Sequence, residues 1–149
     1  MPAGAIAAVE GPIAGFSWDI LVDLSKKEVQ ARLSPSAIKG FFGLARAWKL
    51  RDEDARQLLG GISNGAFYHL KGGKTKKLDQ DQLTRVSLVL GIFKALNILY
   101  SENLADAWVS LPNTNPVFGG ETPLAYMTKG GVPAMLRVRQ LVDARRGGR

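Results

Sequence analysis

Side chains suited to catalysis or metal binding are scarce in this sequence of 149 residues. His69 is the single histidine, and the absence of cysteine excludes disulfides and thiolate metal sites. Four regularly placed carboxylates each fall in the first turn of a predicted helix, where capping and the helix dipole account for them: Asp52, Asp54, Asp79 and Asp81. We therefore predict that the protein is not an enzyme and holds neither a metal nor a cofactor.

The balance of charges indicates a binding protein instead. The chain has 20 Lys and Arg against 13 Asp and Glu, which gives a formal net charge of +7. A surplus of this size favours an anionic partner. Nucleic acid is the usual candidate, but a protein or an anionic active site would also serve. Charge alone does not choose among them.

The segment from Ala55 to Lys71 has the outline of a helix-turn-helix. Two short helices meet at Gly60-Gly61, and the second begins with Ser63 as its N-cap. In such a motif the start of the second helix lies in the major groove, and nearby lysines hold phosphates. The predicted DNA contacts are Ser63, Asn64, Tyr68, His69, Lys71, Lys74, Lys76 and Lys77.

A second interpretation of this segment stays open. The turn has one more glycine than the usual L-G-[VI]-S, and the second helix contains no arginine, the commonest reader of bases. The unit could then be a helix-turn-helix-shaped part of the core, and the Lys74–Lys77 run an ordinary solvated loop.

The chain ends in a loop, a short helix, an amphipathic helix and a basic terminus. Thr122-Pro123 is typical of an N-cap followed by the first helical residue, and Gly130 is predicted to end that short helix. Pro133 then opens the last helix, and Gly147-Gly148 ends it. One face of this helix is apolar, with Met135, Val138, Leu141 and Val142.

The residues of this region resemble the toxin-binding domain of Xre/MbcA/ParS antitoxins, and the MbcA branch most. The match is close over the last third of the chain and looser from about Ser34 onward. It rests on Trp108, Pro112-Asn113, Phe118-Gly119-Gly120, Thr122-Pro123-Leu124, Gly130-Gly131 and Asp143 to Gly148. The resemblance implies an antitoxin that covers the substrate site of a toxin with its C-terminal end. The toxin is most often an NAD+-consuming RES-domain protein, and in other cases an ADP-ribosyltransferase-like enzyme.

Under this resemblance the C-terminal cations are the candidate toxin contacts. Guanidinium groups suit bidentate pairing with carboxylates, and glycines let a backbone enter a narrow opening. The predicted toxin-binding residues are Arg139, Arg145, Arg146, Gly147, Gly148 and Arg149. Trp108 and Phe118 are expected to build the subdomain instead of touching the toxin.

The helical periodicity predicts an all-α fold in three regions. These are a disordered leader at residues 1–15, a helix-turn-helix region at 16–100, and a toxin-binding region with a basic tail at 101–149. A capping box at Ser25 and a Ser34-Pro35 start predict two helices before Trp48. The helix from Asp79 to about Tyr100 has two apolar faces, so it is predicted to be buried by neighbours or by a second copy.

We take this long helix as the candidate for self-association, as a homodimer or within a larger complex with the toxin. A charged residue at Ile92 or Leu96 is then expected to yield monomers. The sequence predicts no transmembrane helix and no secretory signal, and its composition fits the cytoplasm. Two competing functions remain open: a transcription regulator without a toxin partner, and an interaction module whose helix-turn-helix is vestigial.

Overall fold

The computed structural model describes residues 22–147, and this part of the chain is helical without any strand. The all-α prediction is therefore confirmed. Residues 1–15, the start of the apolar segment at Phe16, and Gly148 and Arg149 lie outside the described residues. In chain order the helices are α1 (Lys27–Ala47), α2 (Asp52–Leu58), α3 (Asn64–Lys71), α4 (Gln80–Leu99), α5 (Glu102–Ala107) and α6 (Pro123–Arg146), with 3-10 turns at Trp108–Ser110 and Pro116–Phe118.

Local capping signals placed three of these helix starts correctly. The hydroxyls of Ser63 and Thr122 accept hydrogen bonds from the N–H of the third residue of α3 and α6, at 3.1 Å and 3.0 Å. Asp79 and Gln82 form a reciprocal capping box at the start of α4, with bonds of 2.8 Å and 2.9 Å. Each side chain satisfies a backbone donor that the first turn of a helix leaves without a partner.

The predicted break between two helices at Ser34-Pro35 is wrong. Helix α1 runs through Pro35, and Ser25 does not cap it. Ser34 is buried, and its hydroxyl donates to the carbonyl of Gln30 at 2.6 Å and accepts the N–H of Leu78 at 2.8 Å. A serine before a proline is thus used here to tie α1 to the segment that leads into α4.

Helix α4 is the central helix of the bundle and packs against α1, α5 and α6. Its fully buried side chains are Leu83, Val86, Val89, Leu90, Ile92, Ala95 and Leu96. Ile92 and Leu96 are therefore core residues, so a charge there would test folding and not self-association. Within residues 22–147, α4 is also the one helix long and apolar enough to cross a membrane, and its packing inside the bundle accounts for that composition.

Three aromatic rings organise the C-terminal subdomain. The centroids of Trp108 and Phe118 lie 6.2 Å apart, and those of Phe118 and Tyr126 lie 5.2 Å apart, both in edge-to-face arrangements. Trp108 and Phe118 are buried, in keeping with the structural part predicted for them. The cluster fixes the loop before α6 against the 3-10 turn that follows α5.

The break in the last helix falls at Gly131 and not at Gly130 as predicted. Gly131 has φ +67° and ψ −147°, a conformation that is essentially restricted to glycine. Gly130 lies against the following turn, where an added Cβ would stand 2.6 Å from the Cβ of Ala134. Beyond the break, Met135, Val138 and Val142 face the core as predicted.

We expect Gly131→Ala to lower the free energy of unfolding by about 1–3 kcal/mol, because alanine at this φ and ψ is strained. Urea unfolding followed by circular dichroism measures the loss. Gly65→Ala is the matched control, since Gly65 lies inside α3 with nothing within 4 Å of an added Cβ. It should hold or raise stability by up to about 1 kcal/mol. Equal effects at the two glycines would contradict a conformational requirement at Gly131.

Candidate nucleic-acid and protein interfaces

The turn between α2 and α3 is held by backbone conformation and one arginine. Gly60 and Gly61 both have positive φ, at +103° and +71°. Arg56 donates from Nη1 to the carbonyl of Ile62 at 2.6 Å, and its Nη2 pairs with Glu53 at 2.9 Å. The extra glycine is therefore accommodated in an ordered turn, and the two helices keep a helix-turn-helix arrangement.

The start of α3 is open to solvent, while its other face is buried. Ser63, Asn64, Gly65 and Ala66 are exposed. Phe67 and Leu70 point into the core. An exposed first turn above a buried face is the geometry that a recognition helix requires.

Tyr68 and Lys71, both predicted DNA contacts, are engaged within the protein. The hydroxyl of Tyr68 donates to Asp52 Oδ2 at 2.8 Å, and Lys71 Nζ pairs with Asp52 Oδ1 at 2.8 Å. The hydrogen bond from Lys71, followed by that from Tyr68, lowers the pKa of Asp52 below its usual value. The hydrogen bond to Asp52 in turn raises the pKa of Tyr68. One carboxylate thus ties α3 to the start of α2.

The lowered pKa of Asp52 sets the direction in which the stability of the protein depends on pH. A carboxylate of this kind contributes stability above its pKa in the unfolded chain, and the contribution is lost as pH falls through the folded value. At neutral pH the tether is therefore intact. Sequence reasoning missed this part of the site because Asp52 was explained by the helix dipole, and no local signal indicates a partner on α3.

The remaining basic candidates continue from the end of α3 into a loop. The carbonyl of His69 accepts the N–H groups of Lys74 and Thr75 at 2.8 Å and 3.0 Å. The side chains of His69, Lys74, Lys76 and Lys77 are all exposed. Buried Leu78 ends this loop, and its bond to Ser34 fixes that end to α1. Within residues 22–147 no group of three or more His, Cys, Asp or Glu side chains could hold a metal ion.

Arg139, a predicted toxin contact, lies at the crossing of α6 and α4. Its Nε pairs with Asp143 Oδ2 at 2.8 Å. The guanidinium covers Gly91, where an added Cβ would stand 2.2 Å from Nη1. With 24% of its side chain exposed, Arg139 differs from the tail residues with which the sequence grouped it. The spacing of residues along α6 does not indicate that the guanidinium of Arg139 lies over Gly91 of α4.

The end of α6 presents cations to solvent. Arg145 and Arg146 are exposed in the last turn, and Gly147 is exposed as the C-cap. Arg145 Nη1 donates to the hydroxyl of Tyr100 at 3.1 Å, which orients this arginine near the end of α4. Gly148 and Arg149, the other predicted tail contacts, lie outside the described residues. The described part of the site is thus a helix end that carries two exposed guanidinium groups.

Comparison with known proteins divides the chain into two regions that meet within α4. Residues 24–91 match the family model described as the antitoxin Xre-like helix-turn-helix domain. Residues 95–148 match that of the antitoxin Xre/MbcA/ParS C-terminal toxin-binding domain. Uncharacterized protein y4oB of Sinorhizobium fredii (strain NBRC 101917 / NGR234) is 40% identical over 116 residues, which cover 76% of this chain and 87% of the relative. No solved structure gives a significant match.

Proposed function

Since the chain belongs to the Xre/MbcA/ParS family of antitoxins, we propose that it neutralises an NAD+-consuming RES-domain toxin in the cytoplasm. It would bind the toxin through residues 95–148 and cover the substrate site with its C-terminal tail. The observation that carries this proposal is the match of residues 95–148 to a toxin-binding domain whose helix ends in exposed Arg145 and Arg146. The protein then acts by occupying a site and not by catalysis.

The chemistry of NAD+ supports a tail of this kind. NAD+ presents a diphosphate, so its site must offer anion-binding groups and an opening of matching size. Cations in the diphosphate part of the site would repel an arginine tail. Acidic groups and carbonyls at the nicotinamide-ribose end could receive guanidinium groups, which pair with carboxylates in bidentate fashion. Arg145 and Arg146 lie where the helix ends, so the residues beyond them can enter the opening.

Co-expression with the adjacent gene tests this proposal. Cells that express a neighbouring RES-domain protein alone should lose NAD+ and stop growing. Cells that also express the full chain should keep both. Size-exclusion chromatography of the purified pair should show a stable complex. If the neighbour is harmless, or if the full chain neither binds it nor restores NAD+, the antitoxin proposal fails and a regulator without a toxin partner takes its place.

We also propose that α2 and α3 bind operator DNA upstream of the gene and repress it, with the protein acting as a homodimer on paired half-sites. The match of residues 24–91 to an Xre-like helix-turn-helix and the exposed first turn of α3 support this proposal. In this proposal Ser63 and Asn64 approach base edges. Lys74, Lys76 and Lys77 approach phosphates, as does Lys71 when it leaves Asp52.

We expect Asp52→Ala to strengthen DNA binding, because it frees Lys71 and Tyr68 for phosphate contacts. One added phosphate contact should steepen the dependence of log K on log salt by about 0.9. Gel shifts on the upstream DNA at several salt concentrations measure this slope. Asp54→Ala is the matched control, since Asp54 pairs with Arg51 and carries the same charge in the same turn. An equal gain from the control would mean that net charge alone is responsible.

A further inference from the structure

A groove runs beside α1 on the side of the helix that faces α3 and the loop after it. Two adjoining cavities of about 350 Å³ and 380 Å³ form it, and they share Phe42, Arg46 and Lys71. On α1 the lining residues run from Pro35 to Arg46, and Lys49 and Leu50 follow just beyond the helix. At 1.5 Å per residue the helical stretch is about 17 Å long, the length of a three-turn helix.

The floor of the groove is apolar and fixed by the core beneath it. Ile38, Phe42 and Leu50 are half-buried, and Leu70 and Phe67 are buried. The ring centroid of Phe42 lies 5.7 Å from that of Phe67 and 5.3 Å from that of Phe41. A floor held in this way offers preformed apolar contacts.

The rim of the groove is basic. Its exposed cations are Lys39, Arg46, Lys49, Lys71 and Lys76. Among the lining residues of the two cavities, Asp52 is the single carboxylate, and it is already bonded to Lys71 and Tyr68. The rim therefore keeps a surplus of positive charge over an apolar floor.

We propose that this groove binds an acidic amphipathic helix of a partner protein. Such a helix would lay apolar side chains at three- and four-residue spacing on the floor and carboxylates against the rim, the usual mode of helix-in-groove recognition. A nucleic-acid backbone would meet the cations but leave the apolar floor without a partner. The basic rim and the apolar floor together therefore favour a protein helix over nucleic acid as the ligand.

This surface is separate from the toxin-binding region at residues 95–148 and from the first turn of α3. It shares Lys71 and Lys76 with the DNA surface proposed above. An acidic helix in the groove therefore excludes DNA from these lysines, which would couple partner binding to release of the operator. This coupling rests on the proposed DNA binding, whereas occupation of the groove does not.

Fluorescence anisotropy with a designed probe tests the groove in the absence of DNA. The probe is a labelled 16-residue helical peptide with leucines at four-residue and three-residue spacing and glutamates on the other face. A scrambled peptide of identical composition and a 16-base-pair duplex of arbitrary sequence serve as comparison ligands. We expect the amphipathic peptide to bind the full chain at least tenfold tighter than the scrambled one, with an affinity that falls as salt rises.

Charge reversals at the rim test whether the peptide binds in the groove. Lys39→Glu combined with Arg46→Glu reverses two exposed charges and should weaken peptide binding at least tenfold, with an unchanged circular dichroism spectrum. Arg137→Glu, an exposed site on α6, is the control and should leave the affinity within twofold. Equal binding of both peptides, or a rim variant that weakens binding of the duplex but leaves the affinity for the peptide unchanged, would each overturn the proposal. Failure of operator binding would leave this assay unaffected.

Discussion

A chain truncated after Ala144 is expected to lose its protection against the toxin while keeping its fold. Val142 is the last buried side chain described on α6, and Arg145, Arg146 and Gly147 are exposed, so the truncation should leave the core intact. Besides backbone bonds of the last turn, it removes the side-chain hydrogen bond from Arg145 to Tyr100. Losing even one desolvated charged pair of an interface costs about 2–5 kcal/mol, which corresponds to an affinity at least about 30-fold weaker. Affinity for the purified toxin and cellular NAD+ are the two measurements.

Two full-length variants separate the tail from the helix that carries it. Arg137→Gln removes an exposed cation two turns before the end of α6 and should leave protection intact. Tyr100→Phe removes the hydroxyl that orients Arg145 but keeps both arginines, so we expect a smaller loss than with truncation. If the truncated chain protects cells as well as the full chain does, the inhibition resides in the helical surface of residues 95–144 and the tail proposal is wrong.

Leu96→Ala is expected to lower the free energy of unfolding by about 2–5 kcal/mol, because it opens a cavity in the middle of the bundle. Leu96 is fully buried on α4. A loss of this size is a large part of the total of about 5–15 kcal/mol that holds a domain together. Urea unfolding measures it, and Leu96→Asp should prevent folding altogether.

Ile98→Glu is the counterpart of the Leu96 variants: it places a charge on α4 outside the core and so tests self-association. Ile98 lies two residues further along α4 but is 58% exposed, so a charge there should leave stability within about 0.5 kcal/mol. If an exposed face of α4 forms the proposed homodimer, light scattering should show monomers for this variant. A folded dimer that survives Ile98→Glu would place the interface on another surface.

Features set by neighbours in the sequence could be predicted. The N-caps at Ser63, Asp79 and Thr122 depend on residues within three positions, and the glycine turn after α2 needs only the local backbone conformation. The outward positions of Asn64 and Gly65 follow in the same way from their spacing before Phe67, whereas Ala66, which that spacing assigned to the inward face, is exposed. These elements, with the apolar face of α6, were enough to outline the fold.

The features that escaped prediction depend on residues far apart in the chain. Ser34 has the local pattern of a cap, but its partner Leu78 is 44 residues away. Asp52 and Lys71 are 19 residues apart. Arg139 was assigned to the tail because Gly91, the residue it covers, belongs to another helix. Burial of both faces of α4 was foreseen, but periodicity does not tell whether a neighbouring helix or a second copy covers them.

The boundary between the two matched regions falls inside a helix. The helix-turn-helix match ends at residue 91 and the toxin-binding match begins at residue 95, and α4 runs from Gln80 to Leu99 without interruption. The two matched regions are therefore joined by continuous helix, without a loop between them. One residue inserted near position 93 would turn the toxin-binding end by about 100° and shift it by about 1.5 Å. If the chain holds DNA at one end and a toxin at the other, as proposed, the rotational phase of α4 sets the side of the duplex on which the toxin lies.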